Sequence, residues 1–118
     1  MDNPIDDLLQ QLRQFRDERD WAQFHNAKDL ALALSIEAAE LNEQYLWKKP
    51  EDADPTKVRE ELADVLLYAF QLADKYDWDI PQLMREKIEH NAAKYPIDKA
   101  KGSARKYDQI NDKPASIS

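Results

Sequence analysis

The chain has no cysteine, so a disulfide framework and a thiolate metal site are both excluded. Glycine occurs once, at Gly102, while Ala, Leu, Glu, Lys and Gln are plentiful, a balance that favours helix throughout. No apolar run approaches the roughly 20 residues needed to cross a bilayer, which argues against a membrane protein. The opening Met1-Asp2-Asn3-Pro4 lacks the basic and apolar regions of a secretory signal, so the expected location is the cytoplasm. Positive charge is also in deficit. The formal net charge of −7 argues against a general binder of nucleic-acid polymers. That deficit is uneven, because the segment from Lys94 to the end carries +3 and leaves −10 on the remainder.

What is present reads as helices separated by proline. With 118 residues the expectation is one all-α domain over 1–110, an antiparallel bundle of about four helices, followed by a flexible tail over 111–118. A chain this size buries only about two thirds of its unfolded surface, so assembly into an oligomer would enlarge a modest core. Asn3 as N-cap and Pro4 in the first turn open a helix whose apolar face is Ile5, Leu8, Leu9, Leu12 and Phe15, ending near Asp20. The aromatic connection Trp21 to Asn26 leads to a second helix from about Ala27 to Trp47 or Lys48. A polar link ending in Pro55 precedes a third helix, from Thr56 to about Tyr76, and is short enough to make helices two and three antiparallel neighbours. A fourth begins near Asp79 and Pro81 and stops at Tyr95-Pro96.

The third helix organises the rest. From Glu60 to Ala73 it is apolar on nearly all sides, which implies burial on nearly all sides and makes Asp64, beside Val65, Leu67 and Tyr68, a carboxylate stripped of water. Glu61 sits three residues earlier, about 60° away on the same face. The second helix repeats the spacing with Glu37 and Glu40 among Ala33, Leu34 and Leu41. Either pair by itself is ordinary on a solvated helix. Both pairs in apolar surroundings on neighbouring helices predict four converging hard oxygen ligands, suited to Mg²⁺, with Mn²⁺ as a substitute, rather than zinc. A di-iron centre needs Glu-x-x-His on two helices, and neither His25 nor His90 has Glu three residues before it. Mg²⁺ is commonly completed by substrate phosphates, so an open carboxylate cage points to phosphoryl chemistry, and the basic tail supplies charge for phosphate.

Glu37-Ala-Ala-Glu40 followed by Glu61-Leu-Ala-Asp64 resembles the signature of the MazG-like all-α nucleotide pyrophosphohydrolases. Arg19-Asp-Trp21-Ala-Gln-Phe-His25, Trp47, Lys87 with Asn91, Lys94-Tyr95-Pro96 and Lys101-Gly-Ser-Ala-Arg-Lys-Tyr107 are together similar to the dCTP pyrophosphatase branch, over the chain up to Ile110. The resemblance implies a homotetramer that hydrolyses a nucleoside triphosphate, dCTP or a modified dCTP, to the monophosphate and pyrophosphate. It implies that Glu37, Glu40, Glu61 and Asp64 bind Mg²⁺ and that Trp21 and Trp47 enclose the base, with His25 nearby. It also implies that Lys87, Asn91 and Tyr95 meet the phosphates or the metal, and that Arg105 and Lys106 close over them. The chain departs from the pattern at Ala27 and Asp29, where proline and asparagine are usual, and Asp29 adds negative charge close to the expected pocket.

Elementary chemistry is consistent with these implications. Aromatic faces hold any base, so selection of cytosine requires hydrogen bonds at its edge. Cations beside the phosphates stabilise charge moving onto the leaving pyrophosphate, and Glu40 is the acid expected to activate water. The same residues have ordinary roles too: Trp47, Tyr68 and Tyr95 as core aromatics, Lys87 as a solvated charge, His25 as a loop anchor. A broad-specificity nucleoside triphosphate pyrophosphohydrolase and a non-enzymatic helical metal-binding or interaction module are the alternatives.

Overall fold

The computed structural model describes residues 3–103; Arg105, Lys106 and the segment 111–118 lie outside the described residues. Those described are helical, with no strand among them: α1 (Pro4–Glu18), α2 (Ala27–Glu43), α3 (Pro55–Lys75), α4 (Ile80–Lys94) and the single turn α5 (Ile97–Ala100). Short 3₁₀ turns at Ala22–Phe24 and Pro50–Asp52 punctuate the connections on either side of α2. The chain divides into two compact units between Ile80 and Pro81. No helix among the described residues is long and apolar enough to cross a membrane.

Helix starts follow side-chain chemistry. The Asn3 carboxamide accepts from the Ile5 N–H at 2.9 Å, with Pro4 taking the first helical position where no N–H is needed. Asp54 and Pro55 repeat the device for α3, Asp54 accepting from the Thr56 N–H at 3.0 Å. At α2 the cap is reciprocal: Asn26 accepts from the Asp29 N–H and donates to the Asp29 carboxylate, both at 2.8 Å. Asp29 is therefore occupied in capping.

Helix ends are managed without glycine. After α1, the Asp20 N–H donates to Asp17 O at 3.1 Å and the Trp21 N–H to Arg16 O at 3.0 Å, with Asp20 in the left-handed region at φ 54°. After α3, Asp77 donates to Asp74 O and Trp78 to Ala73 O, both at 3.0 Å, with Asp77 at φ 58°. Both are Schellman turns, and aspartate fills the position that glycine usually takes because its short polar side chain tolerates that conformation. The second helix stops about one turn earlier than its apolar spacing suggests. Its last helical residue is Glu43, and the chain unwinds through turns to Trp47, which sits at φ 62° and is fully exposed.

In the first unit α2 lies along α3, and α1 packs on α3 as well. Glu37 is six residues from the end of α2 and Glu61 six residues into α3, and the short link between these neighbouring helices suits an antiparallel pair. Leu9, Ala73 and Ile80 form a buried cluster, backed by Ile5 and Phe70. Arg13 on α1 forks onto Asp74 on α3, with its Nε 3.1 Å from each carboxylate oxygen and Nη2 also donating to Oδ1. Arg16 adds a longer contact to the same carboxylate at 3.8 Å. The burial expected all round α3 is not provided among the described residues. Leu62, Leu66 and Leu67 are exposed, as are Leu32 and Ile36 on α2.

Candidate functional site

The acids at helical spacing do converge. Glu37 from α2 and Glu61 and Asp64 from α3 each place a ligand atom within 4.8 Å of the others. Glu40 contributes no atom to that trio, but it stands next to Glu37 and Glu61 and its negative charge acts on both. The desolvated members differ from the one singled out by sequence. Asp64 is exposed, whereas Glu37 and Glu61 are half-buried and each holds one carboxylate oxygen, Oε2, that is buried without a hydrogen-bond partner. The reason is the pairing of α2 with α3, which shields the seam between them and leaves the flank carrying Asp64 open.

Electrostatics records the crowding. Burial, followed by Glu40, Asp64 and Glu61, pushes the Glu37 carboxyl from its ordinary 4.5 up to about 7. Burial is also the first cause raising Glu61, with Glu40 and Asp64 next. Like charges held this close favour protonation of one member or uptake of a cation. Buried carboxylate oxygens with no donor and a purely oxygen ligand set fit a hard divalent cation, and Glu37, Glu61 and Asp64 are the residues that would hold it.

Asp64 also borders a cavity of about 380 Å³ between α1 and α3. Its walls are two stripes at helical spacing: Leu8, Gln11, Leu12 and Phe15 on α1, and Asp64, Leu67, Tyr68 and Gln71 on α3. Arg16, Trp21 and His25 complete it. The Schellman turn places Trp21 here. By sending its N–H back to Arg16 O, the turn folds Trp21 against α1, where its ring meets Phe15 edge-on at 5.6 Å. Arg19 lies over the Phe15 ring at 3.7 Å. His25 has a buried Nδ1 without a hydrogen-bond partner, and burial, then Arg16 and Lys75, lower its pKa, favouring the neutral ring. A mostly apolar slot with an aromatic wall at one side and carboxylates at its edge can take a flat ring joined to a charged group.

Of the residues expected from sequence, Glu37, Glu61 and Asp64 are brought together, Glu40 is beside them, and Trp21 and His25 share the adjoining cavity. Trp47 does not line that cavity. Lys87 and Asn91 are exposed on α4 and half-buried Tyr95 follows its end, all within the second unit. Asp29, expected near the pocket, is not part of its lining. Tyr68 lines the cavity, a position that its reading as a core aromatic overlooked. Gln11, Arg16 and Gln71 were likewise missed. The signal for them was the i, i+3, i+4, i+7 stripe on each helix, read through its polar members as well as its apolar ones.

The chain is similar to known proteins along most of its length. dCTP pyrophosphatase 1 from Bos taurus is 36% identical over 114 residues, covering 90% of this chain and 68% of that protein. The Homo sapiens protein of the same name is 35% identical over 114 residues, covering 90% and 67%. Among solved structures, a pyrophosphatase from Archaeoglobus fulgidus superposes with a TM-score of 0.76 at 37% identity, covering 81% of this chain and 95% of that one. The family model described as MazG-like matches residues 32–110, a span that includes all four acids. With two thirds of its length matched by that model and relatives at this identity, the chain belongs to the MazG-like family.

Proposed function

We propose that this protein hydrolyses a nucleoside triphosphate, dCTP or a modified dCTP, between the α- and β-phosphates to give the monophosphate and pyrophosphate. The observation that carries the reading is the double membership of Asp64, which belongs both to the carboxylate cluster and to the wall of the aromatic-lined cavity. A base in the cavity and its phosphates at the acids is the arrangement this suits. The names of the relatives support the same chemistry, since each is called a pyrophosphatase.

Glu37, Glu61 and Asp64 hold Mg²⁺ in this reading, with Mn²⁺ as a substitute. When bound, the ion neutralises phosphate charge and orients the reacting phosphoryl group. Trp21 presents its ring to the base and His25 closes the same end of the cavity. Glu40, next to the trio but outside it, accepts the proton of the attacking water on a carboxylate oxygen. Trp47, Lys87, Asn91 and Tyr95 are assigned to substrate binding by the family resemblance alone, and Arg105 and Lys106, which share that assignment, lie outside the described residues. A homotetramer is part of the proposal: Leu32, Ile36, Leu62 and Leu66 are exposed on the paired helices, and a second copy would cover them. The protein works in the cytoplasm on nucleotides rather than on nucleic-acid polymers or membranes.

Incubation with each nucleoside triphosphate and Mg²⁺, with separate assays for pyrophosphate and orthophosphate, tests the reading. Stoichiometric monophosphate and pyrophosphate are expected, with dCTP the fastest. Orthophosphate release, or no turnover of any nucleotide, refutes it. Comparable kcat/KM across bases would retain the reaction and replace the dCTP preference with a broad specificity.

A further inference from the structure

The cavity has a polar end at which the proposed reaction leaves Arg16 and Gln71 without a task. Arg16, His25 and Gln71 line both the main cavity and a smaller pocket of about 30 Å³, so they form the wall between the two. Gln71 is seven residues along α3 from Asp64. That is two turns on the same face and an axial separation of about 10 Å, which leaves room for a sugar and a base laid along the helix from the carboxylates.

The orientation of the Gln71 carboxamide is decided by its partner. Its Nε2 lies 3.2 Å from Leu67 O, and a carbonyl oxygen can only accept, so the NH₂ group must face it. The oxygen Oε1 is then the group available to a ligand. Gln11, across the cavity on α1, is fixed by the same logic because its Nε2 donates to the Asp7 carboxylate at 2.9 Å. The nearby cationic groups, Arg16 and Lys75, offer only donors. An acceptor held in place by its own turn of helix distinguishes an amine from a carbonyl at the same position on a base. Turning the amide over would forfeit its bond to Leu67.

Resting on the reading that the cavity takes the base, we infer that Gln71 determines base specificity: its Oε1 accepts from an exocyclic amine such as N4 of cytosine. Uracil in the same pose sets O4, an acceptor, against Oε1. The pair repels and neither oxygen is satisfied, whereas cytosine supplies the donor. Trp21 gives the stack that any base enjoys, and Gln71 supplies the discrimination that a stack lacks.

The test compares kcat/KM for dCTP and dUTP, which differ at this edge, in the wild type, Gln71→Met and Gln71→Glu. The wild type is expected to favour dCTP by about tenfold or more. Gln71→Met, close in shape but without an acceptor, should bring that ratio to within about threefold of unity by slowing dCTP. Gln71→Glu, which keeps an acceptor, should retain a ratio well above that of the Met variant. A wild-type ratio near one overturns the inference even if neither variant folds by circular dichroism. So does a Met variant that folds and keeps the wild-type ratio. If neither nucleotide yields pyrophosphate the proposed activity itself fails, an outcome distinct from turnover of both with an unmoved ratio.

Discussion

Glu37→Gln should stabilise the metal-free protein at neutral and alkaline pH. The ordinary pKa of the group is 4.5 and the folded value is about 7, so between them the folded state retains a proton that the unfolded chain has released. Stability is therefore lost as pH rises through this window, and the full penalty applies above it. The gap corresponds to at most ~3.4 kcal/mol at about 1.36 kcal/mol per unit. Asp64 is exposed, so solvent reaches the cluster and screening reduces the figure to ~1–2 kcal/mol. Glutamine keeps the shape and removes the charge, so the variant escapes the penalty. Thermal unfolding followed by circular dichroism in chelator should give a Tm for Glu37→Gln about 4–10 °C above wild type near pH 8. The difference should close toward about pH 5, where Glu37 is protonated in the folded protein. Adding Mg²⁺ should raise the wild-type Tm more than that of the variant. Parallel Tm curves, or a wild type more stable than the variant near pH 8 in chelator, would refute the account of crowded, partly desolvated carboxylates.

Asp64→Asn should lower turnover by more than about 100-fold while leaving the helical spectrum and Tm close to wild type, because Asp64 is exposed and supports no packing; retained activity would remove it from the site. Arg13→Ala leaves the Asp74 carboxylate, whose side chain is only 15% exposed, with the single long contact from Arg16. Urea denaturation should show a loss of about 1–2 kcal/mol, and a change below about 0.5 kcal/mol would mean the fork contributes nothing net. Trp47→Gly relieves a bulky residue at φ 62° and removes a ring that touches no core, so stability should be unchanged or higher by about 1 kcal/mol. A rise in KM of about tenfold or more with that stability would mark Trp47 as a substrate contact, and an unchanged KM would exclude it.

The parts of the fold that sequence made legible are those fixed by local chemistry. Asn3-Pro4 opened α1, proline ended the link before α3, and Glu37, Glu61 and Asp64 met because spacing on two antiparallel helices leaves few other outcomes. The end of α2 was hidden because Tyr45, Leu46 and Trp47 continue its apolar composition, and nothing in composition marks Trp47 for a left-handed conformation. Asp20 and Asp77 ended helices in a role usually read from glycine. Burial was the hardest to read. An apolar helix implies that something covers it, but not whether the cover comes from the same chain, and α3 leaves Leu62 and Leu66 open. The same limit transferred the desolvation cost from Asp64 to Glu37 and Glu61. Gln71 was invisible for a different reason: a polar residue on an amphipathic helix is read as facing water until the opposing stripe is seen.

The placement of Asp64 on the border between cavity and carboxylates makes it a point of thermodynamic exchange. A cation drawn into the cluster lowers the repulsion that Asp64 presents to an anionic ligand in the cavity, and the ligand returns the effect by the same factor. The half-buried pair Glu37 and Glu61 carries this coupling: with neither guest present, burial and the neighbouring acids shift both carboxyls toward the protonated form. Proton release on cation uptake, read in a weakly buffered solution near neutral pH, is the outward sign of that reciprocity.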